Sequence, residues 1–218
     1  MSAFVLPARV PVLVGGGRSL VLGSPLALQC ASVSVALARA GHPVHVGCAA
    51  GADAVAVHAL LGFPGLLRVF AVGLPSGAGF WRGSAFAGVQ AAASAGVPVR
   101  WCAGGALVSS RAPGSGVVFS SGSRPPSSWP VPLTSRLFLR SVACLRGCGL
   151  AVFFAPGPGS CSVARAALRS GVPVLFFCAF PPELPVPAVA SSLFGLPCWL
   201  FSPPQLPLFE SGVVSSRH

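Results

Sequence analysis

The chain has 218 residues, of which 53% are hydrophobic and only 8% charged, with a mean hydropathy of +0.80 and a net charge of +11. Lysine is absent, which excludes a Walker-type phosphate lysine, a Schiff base and a lysine general base. Asp53, Glu183 and Glu210 are the only carboxylates, too few and too far apart to suit a two-metal centre or a glycosidase acid pair.

In chain order, the apolar run Arg9 to Val14 predicts a first strand, with Gly15, Gly16, Gly17 and Arg18 as a phosphate-type turn behind it. Pro11 is awkward there, because proline donates nothing to a ladder. The Ala- and Leu-rich stretch from Pro25 to Ala40, stopped by Gly41, predicts a helix. The segment from Val44 to Leu60 reads as a short buried strand, a tight turn of small residues and a helix opened by Gly51 and Asp53. That layout exposes backbone N–H groups at a helix N-terminus, where an anion binds without a special side chain. Leu67 to Val72 predicts a third strand, Trp81 to Ala95 a helix ended by Gly96, and Val97 to Cys102 a fourth strand. Residues 103–132, rich in Gly, Ser, Pro and Arg, break the rhythm and read as a mobile loop, a plain insertion before a lid. Leu133 to Arg146 resumes as helix and Leu150 to Phe154 as a buried strand. The turn Ala155 to Ser160 then opens a helix over Cys161 to Ser170, stopped by Gly171, and Val172 to Phe177 follows as a strand.

This alternation predicts an α/β fold: a Rossmann-like parallel sheet with helices on both faces, over residues 1–179. From Phe180 the chain is apolar but crowded with prolines, and residues 180–218 read as an irregular tail. Gly171 to Phe201 carries a single charge, Glu183, which raises the question of membrane contact. Pro181, Pro182, Pro185 and Pro187 cut any spanning helix there, so a core strand is the better reading of its first part.

The residue types that are missing or rare share adenine-containing codons: Lys, Asn, Ile and Tyr are absent, with one Thr and one Met. The positive charge therefore reflects lost carboxylates as much as gained cations, and charge alone does not decide for a nucleic-acid surface. Eight scattered cysteines form no CxxC pair; Cys144 and Cys148 are four apart, but no second pair with ligand spacing follows. They read as small buried hydrophobes. No basic region and uninterrupted apolar stretch marks the N-terminus, so a cytoplasmic setting is expected.

Three segments resemble the DNA-processing protein A family. Gly47-Cys48-Ala49-Ala50-Gly51-Ala52-Asp53 is similar to its Gly-Gly-Ala-Arg-Gly-Ile-Asp turn, and Arg140 to Leu145 to its Arg-Asn helix. Gly159-Ser160 with Ala164 to Leu168 is similar to its Gly-Ser turn and Ala-Arg-x-Ala-Leu helix. Order and spacing agree across all three. The wider superfamily includes the Lonely Guy cytokinin-activating enzymes, whose Pro-Gly-Gly-x-Gly-Thr-x-x-Glu motif carries a hydrolytic glutamate. Here Ala50 replaces the family arginine and Ser141 the asparagine, Pro156 to Ser160 is shorter, and no acid follows until Glu183.

The resemblance and the arginines together imply a non-catalytic module that binds a phosphate-bearing ligand, a nucleotide or single-stranded DNA. The expected contacts are Gly15, Gly16, Gly17 and Arg18, then Gly47, Ala49, Gly51 and Asp53, then Arg140, and finally Gly157, Gly159 and Ser160. In open parallel sheets these turns meet outside the carboxyl ends of the strands. Arg18 suits a bidentate clamp on an anion. Arg165 reads as a DNA contact or a solvated charge, and His42, His45 and His58 as packed or exposed. No catalytic residue, resident cofactor or metal is expected. Two other readings stay open: hydrolysis of a nucleotide N-glycosidic bond with Asp53 as the carboxylate, and a membrane-associated or structural protein.

Overall fold

Side chains alternate across a strand, and in this chain both sides of the alternation are apolar. Val12 and Val14 belong to one buried cluster and Leu13 to the other; Val152 and Phe154 oppose Ala151 and Phe153, and Leu175 and Phe177 oppose Val174 and Phe176. Strands apolar on both faces need cover on both, which is the condition for a parallel sheet sandwiched by helices. The computed structural model of the chain describes residues 2–73, 85–103, 106–109 and 133–203.

The elements are β1 (Ser2–Ala3), β2 (Val12–Gly16), α1 (Pro25–Arg39), β3 (Val44–Val46), α2 (Ala52–Leu60), β4 (Leu67–Val72), α3 (Phe86–Ser94) and β5 (Val99–Ala103). There follow β6 (Ala106–Ser109), α4 (Leu133–Leu145), β7 (Leu150–Phe154), α5 (Pro158–Arg169), β8 (Val174–Phe177), β9 (Val189–Leu193) and β10 (Leu196–Phe201). They form one sheet in the order β1-β9-β10-β8-β7-β2-β3-β4-β5-β6. The run from β8 through β7, β2, β3 and β4 to β5 is parallel throughout. β6 closes one margin antiparallel to β5, and the β9–β10 hairpin extends the other, antiparallel to β8.

α1, α2 and α3 pack on one face through Leu37, Leu60 and Val89, and α4 and α5 on the other through Cys144 and Leu168. This is the α/β, Rossmann-like arrangement. Local chemistry places the first helix: the Ser24 hydroxyl accepts from Ala27 N–H at 3.3 Å, and Pro25 takes the first position, where its missing N–H costs nothing.

Several boundaries differ from the expectations. Pro11 precedes β2, where its carbonyl accepts from Gly149 N–H at 2.9 Å, and the strand runs on through Gly16. α5 begins at Pro158, not Cys161, so Gly159 and Ser160 belong to its first turn. Within the expected loop 103–132, residues 106–109 are a strand; 104–105 and 110–132 lie outside the described residues, as do Trp81 to Ser84. Of the region read as an irregular tail, 180–188 has no regular structure, but β9 and β10 join the sheet and bury Leu193, Cys198 and Phe201; residues 204–218 lie outside the described residues. Among the described residues no helix is long and apolar enough to cross a membrane.

Candidate functional site

β2 continues to β3 on one side of the sheet, while its other neighbour, β7, arrives only after β5 and β6. Strand order thus reverses between β2 and β7, the position where open α/β sheets leave a crevice beyond the strand ends. A cleft of about 290 Å³ opens there. Gly15 and Gly16 form its edge at the end of β2, Gly47 follows β3, Phe153 comes from β7, and Gly159 and Ser160 from the first turn of α5.

Two charged side chains, both nine-tenths buried, meet at this edge. Asp53, in the first turn of α2, accepts at Oδ2 from the Ala49 backbone N–H at 3.0 Å and from Arg140 Nη1 of α4 at 3.1 Å. The pair lies across Gly47: a Cβ there would overlap both the guanidinium and the carboxylate. Burial works against the Arg140 charge, but Cys48, Asp53 and Cys144 around it raise its pKa above the ordinary value. Of these, Asp53 is the ion-pair partner of the guanidinium, while burial pushes the Cys48 and Cys144 thiols up. Arg140 Nε is buried with no hydrogen-bond partner among the described residues.

Across the cleft, α5 has Gly157 at its N-cap and no side-chain cap, and no acid in its first turn. The N–H groups of Gly159 and Ser160 precede the first intrahelical bond, which Cys161 N–H makes to Gly157 at 3.0 Å. N–H groups that have no intrahelical partner and the positive helix end together favour an anion. Leu13, Leu137, Phe138 and Phe153 supply apolar walls, and Arg18 completes the rim.

The structure brings Gly15, Gly16, Arg18, Gly47, Ala49, Asp53, Arg140, Gly159 and Ser160 to one cleft. Gly17, Gly51 and Gly157 do not line it. Gly51, at φ +79°, packs against Gly17, whose carbonyl accepts Ala52 N–H at 3.2 Å; these two glycines join turn to turn. Sequence reasoning missed the α4 wall, Thr134, Leu137, Phe138 and Ser141, although their i, i+3, i+4, i+7 spacing marks one helix face.

No described histidine lines the cleft: His42 Nδ1 lies 3.1 Å from the Val10 carbonyl, His45 Nδ1 lies 2.8 Å from that of Cys144, and His58 is exposed. Arg165 donates to the Glu183 carbonyl at 3.2 Å. Cys148 donates to the Cys144 carbonyl at 3.3 Å, and among the described residues no group of three potential ligands could hold a metal ion. No family model, curated protein or solved structure matches this chain.

Proposed function

We propose that this chain is a non-catalytic Rossmann-like module that binds a phosphate-bearing ligand, a nucleotide or a nucleotide unit of a single strand. The observation that carries this reading is the convergence of three glycine-bearing turns, after β2, β3 and β7, on a single cleft at the point of strand reversal. The phosphate is assigned to the Gly159 and Ser160 N–H groups at the start of α5, with Arg18 at the rim. The apolar walls suit a base, and a volume of about 290 Å³ matches one nucleotide unit better than a longer stretch of polymer. Asp53 is the only carboxylate among the described residues of the cleft, and its engagement by Ala49 N–H and Arg140 favours a structural role over hydrolysis.

Fluorescence polarisation with a labelled single-stranded oligonucleotide across a salt series, with nucleoside monophosphates as competitors, tests this reading. Displacement by monophosphates is expected, and Arg18→Ala is expected to weaken binding about ten- to hundredfold, the size of one charge-assisted hydrogen bond. Binding of neither strand nor nucleotide sinks the proposal.

A further inference from the structure

We propose that Arg68 and Arg100, apart from the cleft, form a second anion site that takes a doubly charged tetrahedral oxyanion such as sulfate. This site is independent of the reading of the cleft: each arginine is the second residue of its strand, β4 or β5, whereas the cleft opens beyond the carboxyl ends.

The register of the sheet places the two side chains together. Arg68 stands opposite His45 of β3, and Phe70, two residues on, stands opposite Arg100. Register partners and residues two apart share a face. His45, Arg68, Phe70 and Arg100 therefore lie on the α4 side of the sheet, where Phe70 packs in one cluster with Cys144. One strand spacing and two residues of rise put the Arg68 and Arg100 Cα atoms roughly 8 Å apart, close enough for long side chains to converge. Arg100 leans toward β4: its Cζ lies 5.7 Å over the centroid of the Phe70 ring, and the His45 ring is 5.2 Å from that same ring. Both guanidinium charges reach His45, where they add to burial in lowering its pKa.

The pair has no counter-charge of its own. Among the described residues neither arginine makes an ion pair with a carboxylate. Asp53 is engaged by Arg140, and Glu183 follows β8, with β7, β2 and β3 between that strand and β4. Arg68 is half-buried and Arg100 exposed, so the pair is open to solvent on one side. The ring contact orients Arg100 electrostatically and uses none of its hydrogen-bonding capacity for an oxygen acceptor. Two like charges this close repel, and one dianion balances both. A carboxylate matches a single guanidinium fork with its two oxygens, whereas a tetrahedral oxyanion offers an edge to each of two.

Proton NMR of the full chain tests this by following the assigned His45 ring resonance at neutral pH while sulfate replaces chloride at constant ionic strength. A saturating shift is expected with sulfate and none with acetate. Arg68→Gln and Arg100→Gln are each expected to weaken sulfate binding about ten- to hundredfold. Arg100→Lys, which keeps the charge and loses the planar fork, should fall between wild type and Arg100→Gln. Should Arg68→Gln not fold, Arg100→Gln decides, because Arg100 is exposed and its loss leaves the core intact. A shift that never saturates, equal affinity for acetate and sulfate, or an affinity unchanged in Arg100→Gln overturns the proposal. So does a response that Arg18→Ala abolishes, since the anion would then be acting from the rim of the cleft. Each of these failures leaves the reading of the cleft standing.

Discussion

The space above Gly47 belongs to two side chains from elsewhere in the chain, the Arg140 guanidinium and the Asp53 carboxylate. A buried ion pair of this kind adds little over apolar residues of similar volume, yet breaking it strands one charge. Arg140→Met alone is therefore expected to cost about 3–5 kcal/mol in chemical denaturation, whereas Asp53→Leu with Arg140→Met costs much less. Additive losses in the double variant would overturn this account. Gly47→Ala forces the pair apart and is expected to destabilise on the scale of the single variant, with loss of ligand binding. From the sequence, Gly47 was legible as part of a turn but not as the floor of an ion pair. Its partners come from α2 and α4, and no local pattern reports a contact made across the sheet.

Among the elements, β4 and β7 were legible to the residue, because short runs apolar on both faces lie between clear turn signals. β9 and β10 were not, because the prolines of 181–197 read as a break. Pro197 pairs with Ser192 of β9 but precedes Trp199, where pairing with β8 begins, so the proline falls at a place a ladder tolerates. The hairpin matters to the sheet: Phe201 is 1% exposed and meets Phe176 edge-on at 5.5 Å. Burying one such ring contributes about 1.5–3 kcal/mol. A chain ended after Ala179 bares β8 along its length and is expected to aggregate and to lose its cooperative thermal transition. Poor solubility of that variant reports an uncovered sheet edge. A monomer that unfolds at the full-length temperature would show the hairpin to be dispensable.

For the molecule as a whole, buried titratable groups set a pH window. Burial, with Arg68 and Arg100 nearby, lowers the His45 pKa against the opposing pull of the Cys144 carbonyl. Below about pH 6.5 the unfolded chain binds a proton at His45 that the folded chain refuses, so stability falls as pH drops. The thiols act at the other end. Burial pushes Cys30 and Cys148 up to about 12 and Cys102 and Cys198 up to about 11. Above about pH 8.5 the unfolded chain releases protons that the folded chain keeps, so stability falls again as pH rises. Denaturation midpoints measured from pH 5 to 10 should form a plateau with two declining shoulders, the acid one softened in His45→Gln. A flat profile would contradict both assignments. The strand order has a further consequence for a chain made from one end. β2 is central, and synthesis first supplies β3, β4 and β5 on one flank, then β7, β8 and the hairpin on the other. Until β7 leaves the ribosome, the nascent half-sheet carries an unpaired inner edge at β2, open to other chains. β1, whose register partner is β9, must wait until almost everything else has been translated.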